Sequence, residues 1–319
     1  NAPFLPESKL DMQLYGDVRT MPAEVLQGVE AVVHLAAISN DPMGTKFEDI
    51  TLDVNYKSSV RIAEMAKAAG VKNFVFASSC SMYGAAEDKA KTEESALNPL
   101  TAYARSKVFT EKELEPLAGE GFTVTSLRFA TACGMSDRLR LDLVLNDFVA
   151  GAVATGKINI LSDGSPWRPL IHVQDMARAI EWAVTREPAR GGAFLAVNTG
   201  SNDWNYQVRE LAEAVADVIP GTEVTVNQNA APDKRSYRVN FDLFRSLAPN
   251  HLPQYTLKEA IQELRDGLVE MNFRDGNFRN SLLMRLMVLN SLQEANQLDE
   301  QLQWQRSSSK VSEAQLETA

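Results

Sequence analysis

Residues 31–37 form an almost unbroken apolar run, Ala31-Val32-Val33-His34-Leu35-Ala36-Ala37. A run this short and this apolar is expected of a strand buried on both faces of a parallel sheet. Phe74-Val75-Phe76-Ala77 is a second such run, and residues 123–129, β-branched in their first half, and 193–200 supply two more strands. Helical patterns lie between them. From Phe47 to Ala69, Ile50, Val54, Val60, Ile62, Ala63, Met65, Ala66 and Ala69 fit one helix, and Gly70 stands where a cap is needed. Strand, helix, strand, helix, strand implies a parallel α/β sheet. After residue 135 the order changes. A helix over 138–156, short strands at 157–161 and 223–226, and helices at 176–186, 206–218 and 256–268 describe a second, smaller α+β lobe.

Composition narrows the class of function. The chain has 319 residues, of which 45% are hydrophobic and 23% charged, enough for a large core and two lobes. The net charge of -10 argues against a general nucleic-acid binder. No apolar run approaches the roughly 18 residues of a membrane helix, so no membrane partner is expected. Two cysteines, Cys80 and Cys133, give no disulfide framework, which makes a reducing cytoplasm the expected location. Three histidines, His34, His172 and His251, lack metal-ligand spacing, so no metal site is expected.

The chemistry concentrates in two short segments. Tyr103 and Lys107 are four residues apart and share one face of a helix. A phenol is a weak base at neutral pH, its reference pKa being about 10, and a nearby ammonium favours the phenolate. Just upstream, the strand ending at Ala77 runs into Ser78-Ser79-Cys80-Ser81-Met82-Tyr83-Gly84. A hydroxyl from Ser79 can hold a substrate oxygen against the phenol, a trio suited to moving a proton while a cofactor moves hydride.

These residues resemble the extended short-chain dehydrogenase/reductase family, and within it the NAD-dependent nucleotide-sugar epimerases and dehydratases. There a Ser or Thr ends a strand four residues before Tyr-Gly, as Ser79 precedes Tyr83-Gly84, and a Tyr-x-x-x-Lys helix follows. The resemblance implies a Rossmann-type doubly wound sheet and makes Ser79, Tyr103 and Lys107 catalytic. It implies NAD as cofactor, with NADP left open, a nucleotide sugar as substrate and a homodimer as assembly. Asp17, in Gly16-Asp17-Val18-Arg19 at the end of a short strand from Met12, would meet the adenine. Leu35, Ala36 and Ala37 would line the cofactor, with Asn55, Ser78 and Phe129 beside it. Ser39, Ser81 and Thr131 would face substrate; Thr131 stands where many epimerases carry Asn. Arg168, in the segment 167–175, would grip the diphosphate, and Arg235 and Arg238 belong to a segment that closes over the nucleotide.

Two departures carry expectations of their own. The opening residues, Asn1-Ala2-Pro3-Phe4 onward, hold no strand, Gly-rich turn and helix, so the sheet is expected to be N-terminally truncated. The expected partition is a truncated dinucleotide-binding domain over 1–135, to which 169–200 return. A substrate lobe over 136–268 and a helical extension with a frayed tail over 269–319 follow, the extension carrying an amphipathic helix from 281 to 302. In the sugar 4,6-dehydratases an acid pair follows the Ser/Thr. Here Cys80 and Ser81 stand there, which disfavours water elimination. Epimerisation through a keto sugar is the leading expectation. A keto-sugar reductase, or an inactive scaffold lacking its phosphate loop, is the alternative.

Overall fold

The apolar runs come together as one parallel sheet. The computed structural model describes residues 10–39, 41–84, 89–227, 230 and 236–305. In chain order the strands are β1 (Ala31–His34), β2 (Asn73–Ser79), β3 (Thr123–Phe129), β4 (Thr131–Cys133), β5 (Lys157–Ile160), β6 (Trp167–His172), β7 (Phe194–Thr199), β8 (Asn205–Gln207) and β9 (Glu223–Val226). The helices are α1 (Asp41–Lys46), α2 (Glu48–Leu52), α3 (Ser58–Ala68), α4 (Ala102–Leu114), α5 (Val144–Thr155), α6 (Val173–Val184), α7 (Val208–Val218), α8 (Asp242–Leu247), α9 (Leu257–Glu270) and α10 (Arg285–Glu294). The main sheet has the order β1-β2-β3-β7, every pairing parallel.

Helices cover both faces of this sheet, as a doubly wound fold requires. On one face Ile62, Ala63 and Ala66 of α3 and Leu114 of α4 pack on Phe74, Phe76 and Val124. On the other, Ala179, Trp182 and Ala183 of α6 pack on Val75, Leu127 and Val197. A separate core gathers α5, α7 and α9 through Phe148, Leu211, Ala212, Ile261 and Leu264. Around it lie the sheet β4-β6-β8 and the parallel pair β5-β9. Among the described residues no helix is long and apolar enough to cross a membrane.

Several elements differ from the sequence reading, each for a local reason. β1 stops at His34, and Val33 is exposed, so this strand is not buried on both faces. It is the edge of the sheet among the described strands, and its register with β2 ends at His34 and Phe76. Residues 12–19 form no strand. Met12, Leu14 and Tyr15 lie on the surface, where no neighbouring strand supplies hydrogen bonds.

The helix read over 47–69 is broken twice. Phe47 leaves helical geometry at φ -124, and residues 53–57 widen into a π-helical turn before α3 resumes. Gly70, at φ +81, does end α3, through bonds from Gly70 N to Lys67 O and from Val71 N to Ala66 O.

α5 begins only at Val144. The preceding Arg138-Leu139-Arg140-Leu141-Asp142 holds turns at 137–138 and 141–142, and only its two leucines are buried, a period of two that no helix face would give. The C-terminal helix runs from 285 to 294 rather than 281 to 302, because Asn296 turns left-handed at φ 53. It packs on the body of the chain, with Leu286 and Leu289 against Ile38, Met43, Phe47 and Ile50. The extreme N-terminal residues and the tail from Ser307 lie outside the described residues.

His34 gives this fold an acid-sensitive point. Its ring is buried, lies over Phe74 and Phe76, and shares a 2.8 Å hydrogen bond with Ser59 Oγ. Burial, aided by the charge of Lys107, pushes its pKa from 6.5 down to about 4. The unfolded chain therefore takes up this proton first as pH falls. The stability that neutral His34 contributes is present above pH 6.5 and is lost as pH falls from 6.5 towards 4. Urea unfolding of the chain and of His34→Gln across this range checks it. The difference between them is expected to shrink with acid by up to about 1.4 kcal/mol per pH unit.

Candidate active site

The site is built at the carboxyl ends of β2 and β3, the edge of an open parallel sheet where ligands bind. β2 delivers Ser79, and the chain then turns through the 3-10 helix Cys80–Tyr83. Ser79 caps that turn: Ser81 N donates to Ser79 Oγ at 3.2 Å. The Ser79 hydroxyl proton has no acceptor among the described residues. Gly84 ends the turn at φ +67, and a Cβ there would lie 2.0 Å from Asn98 O, so only glycine fits.

α4 brings the base. Thr101 caps it by accepting from Ala104 N. Tyr103 is half-buried and Lys107 buried one turn further on. Lys107 Nζ lies 5.5 Å from the centre of the Tyr103 ring and 4.6 Å from that of Phe76, and it donates to Ala77 O at 2.6 Å. The lysine thus ties the helix to β2, two residues before Ser79. Phe129 of β3 lies directly across from Ser79 in register.

Asn55 sets the loop after β1. Its side chain is completely buried in the π-helical turn. Ile38 N donates to Asn55 Oδ1 and Asn55 Nδ2 to Ile38 O, each at 2.8 Å. Nδ2 also reaches Ser106 Oγ, whose hydroxyl donates to Tyr103 O at 2.7 Å. One amide therefore fixes the β1 loop against the start of α4. Gly44 follows on that loop, and a Cβ there would meet Tyr103 N at 3.3 Å.

Beneath the site is a polar network that the sequence reading missed. Glu111, one turn beyond Lys107, receives Arg128 Nη2 at 2.7 Å, Arg128 Nε at 3.1 Å and Ser78 Oγ at 2.5 Å. Arg128 Nη1 donates to Tyr83 Oη, which donates to Asn198 Oδ1. The spacing Tyr103, Lys107, Glu111 was the available signal, since all three share one helix face. The network corrects one expectation: the Ser78 hydroxyl points into this buried cluster and not into the site.

Other expected site residues stand apart. Asp17 is forked to Arg19, with Arg19 Nη2 at 2.6 Å from Oδ2, and this contact holds its carboxyl below the usual carboxylate range. Arg19 in turn donates to Gln301 O, so Asp17 belongs to the anchor of the C-terminal segment and meets none of the catalytic trio. Arg168 and Arg238 gather at Trp167: Arg168 Nη1 donates to Trp167 O, and the Arg238 guanidinium lies 5.2 Å from the Trp167 ring centre. Lys91 N donates to Arg238 O and Asn240 N to Lys91 O, seating this closing segment. Thr131 pairs with Leu170 across β4 and β6. Arg235 lies outside the described residues.

The expected dinucleotide fits the nicotinamide-ribose end of the site. Lys107 uses one N–H on Ala77 O, and its other two have no acceptor among the described residues. Ser81 Oγ is closed off from solvent without a partner. Leu35 and Ala36 present open surface just past β1, with Ala37 half-buried and Ser39 beyond. No Gly-rich turn is present in the sequence to cradle a diphosphate. Cys80 and Cys133 take no part in chemistry of this kind. Both are buried, and burial raises both thiols well above their ordinary range.

Burial pushes the Lys107 ammonium from 10.5 down to about 7, against the opposing pull of Glu111. Between these values the unfolded chain holds the extra proton, so the stability contribution of Lys107 rises with pH from 7 to 10.5. Unfolding free energies of the ligand-free chain minus those of Lys107→Met are expected to rise across that window by up to about 1.4 kcal/mol per pH unit. A flat difference would mean that the lysine keeps its proton when folded.

Comparison with known proteins now has a geometry to stand on. The model of the "NAD dependent epimerase/dehydratase family" matches residues 9–200. The uncharacterized UDP-glucose epimerase YtcB of Bacillus subtilis is 29% identical over 216 residues, covering 67% of each chain. A UDP-glucose 4-epimerase of Corynebacterium glutamicum is 29% identical over 219 residues, covering 64% of this chain and 65% of that protein. Among solved structures, the NAD-dependent NDP-hexosamine 5,6-dehydratase TunA superposes with a TM-score of 0.73 at 23% identity. That superposition covers 87% of this chain and 88% of TunA, a likeness of fold. With the family model matched over most of the chain, and the Ser79, Tyr103 and Lys107 constellation in place, this chain belongs to the NAD-dependent epimerase/dehydratase family of enzymes.

Proposed function

We propose that the chain is an NAD-dependent epimerase of a nucleotide sugar that works through a transient keto sugar. The observation that supports this is Lys107 beside the Tyr103 ring and bonded to Ala77 O, two residues before Ser79, with no carboxyl group at the two positions after Ser79. Cys80 is buried and directs Sγ to Arg128 O, and Ser81 offers only a hydroxyl. A site built this way handles a proton on an alcohol oxygen and has no acid there to expel water. The two curated relatives reported above are named for the same activity.

The residues divide the work. Tyr103 as phenolate takes the proton of a sugar hydroxyl, and Lys107 stabilises that phenolate electrostatically. Ser79 donates its free hydroxyl proton to the same sugar oxygen and holds it over the ring of Tyr103. NAD, once bound beside Leu35, Ala36, Ala37 and Phe129, supplies the acceptor for the carbon's hydride and then its donor. Lys107 keeps two N–H groups for ribose hydroxyls. Ser39, Ser81 and Thr131 offer hydroxyls to the sugar and its phosphate, and Arg168 and Arg238 hold the diphosphate through charge-assisted bonds. Tyr103 returns the proton when the sugar has turned over. Homodimerisation through α3 and α4 belongs to the same proposal; it would cover Phe109, which is exposed and packs edge-on against Tyr56 at 5.6 Å.

The test is turnover of UDP- and dTDP-sugars with catalytic NAD, followed by the proton NMR signals of the sugar. Interconversion of epimers without net loss of NAD is expected. Tyr103→Phe should lower turnover by roughly 10²–10⁴-fold while nucleotide-sugar affinity stays within a few-fold. Stoichiometric consumption of reduced cofactor would instead identify a keto-sugar reductase. Release of water from the sugar would overturn the reading from Cys80 and Ser81.

A further inference from the structure

Three arginines, Arg138, Arg140 and Arg285, act on one another's charge where the segment before α5 meets the start of α10, and Arg285 lies beyond the residues matched by the family model. Residues 138–142 turn across the surface before α5, with Leu139 and Leu141 buried in the core and Arg140 and Asp142 only half-buried. The segment leading into α10 lies alongside, joined by a bond from Leu141 N to Leu283 O. Arg140 and Asp142 are thereby brought next to Arg285, the first residue of α10. Arg140 places Nε and Nη2 on Asp142, at 3.0 and 2.7 Å, and Nη1 on Ser39 Oγ at 3.2 Å. Asp142 is thus one carboxylate among three guanidiniums. Among the described residues neither Arg138 nor Arg285 has an ion pair. Arg285 Nε is sealed from solvent with no acceptor.

This arrangement is unfavourable as it stands. A half-buried guanidinium facing two others lacks the partner that burial of charge demands. Arg285 also sits in the first turn of α10, where the helix dipole already favours negative charge. An oxyanion between the arginines would satisfy both conditions, and the guanidinium fork matches carboxylate and phosphate oxygens alike.

The place is set by Ser39. It follows Ile38, which Asn55 clamps to Ser106 and so to Tyr103, and Gly44 of the same loop backs onto Tyr103. The cluster therefore opens towards the reacting end of the site, apart from Arg168 and Arg238 at Trp167. α10 is held there firmly. Lys46 Nζ bonds Asn290 Oδ1, and Arg19 grips the carbonyls of Gln301 and Leu302.

We propose that Arg138, Arg140 and Arg285 form an oxyanion-binding site that takes a carboxylate on the sugar ring of the nucleotide sugar. This rests on the reading of the chain as a nucleotide-sugar enzyme. The C-terminal segment then completes the substrate site and selects an acidic ligand. Calorimetry of the full chain with UDP, UDP-glucose, UDP-glucuronate and NAD tests it, alongside Arg285→Gln and Arg285→Lys.

Arg285→Gln is expected to weaken UDP-glucuronate binding roughly 10- to 100-fold, the worth of a hydrogen bond between charged groups. Arg285→Lys, which keeps the charge and the helix, recovers part of that loss. A loss confined to UDP-glucuronate supports the carboxylate site; an equal loss for UDP, UDP-glucose and UDP-glucuronate overturns it. Binding by Arg285→Gln within twofold of the unmodified chain for every ligand, or a loss confined to NAD, overturns the proposal. If the unmodified chain binds no uridine nucleotide, the nucleotide-sugar reading itself fails, a result distinct from an unaffected variant.

Discussion

The carboxylate of Glu111 is the charge on which the site depends. It is buried, and it lies between the Arg128 guanidinium of β3 and the α4 turn that carries Lys107. Two cations placed this deep would oppose each other and the low dielectric around them. One carboxylate accepts the fork of Arg128 and lends its field to Lys107, so both cations can remain beneath the catalytic face. Ser78 and Tyr83 extend the same network across β2 and the serine turn. Removing Glu111 alone would leave Arg128 buried and unpaired, the most damaging way to break such a pair. The charge of Lys107 is therefore supported by a residue one helical turn away.

Much of this was legible because the catalytic signal is local. Ser79 stands at a strand end, and Tyr103 and Lys107 are one helical turn apart, so sequence spacing maps directly onto space. The alternation of apolar runs and helical patterns likewise revealed the parallel sheet. What escaped depends on distant pairings. Arg128 and Glu111 are 17 residues apart, Arg140 and Ser39 are 101, and Arg19 and Gln301 are 282. No periodicity reports such contacts.

Elsewhere the signal was present but read with the wrong period. The alternation from Arg138 to Asp142, in which only the leucines are buried, fits no helix, and a helix drawn through it hides the arginines' common side. At Met12 to Arg19 a local pattern suggested a strand, yet a strand exists only where a neighbour offers its backbone. Leu35 to Ala37 leave the sheet although β2 runs on to Ser79 beside them, so the chain turns away from an available neighbour. The exposed surface left there is the feature that cofactor binding calls for.

The two cysteines give the molecule a pair of internal clocks. Cys80 directs its sulfur to Arg128 O in the core beneath α6, and Cys133 directs its own to Ile171 O in the core of α5, α7 and α9. Only a thiolate attacks an alkylating reagent, and burial suppresses it at both places. Each sulfur can react only when its own core opens. The two labelling rates thus measure separately how often each of these two cores breathes, and whether they do so together.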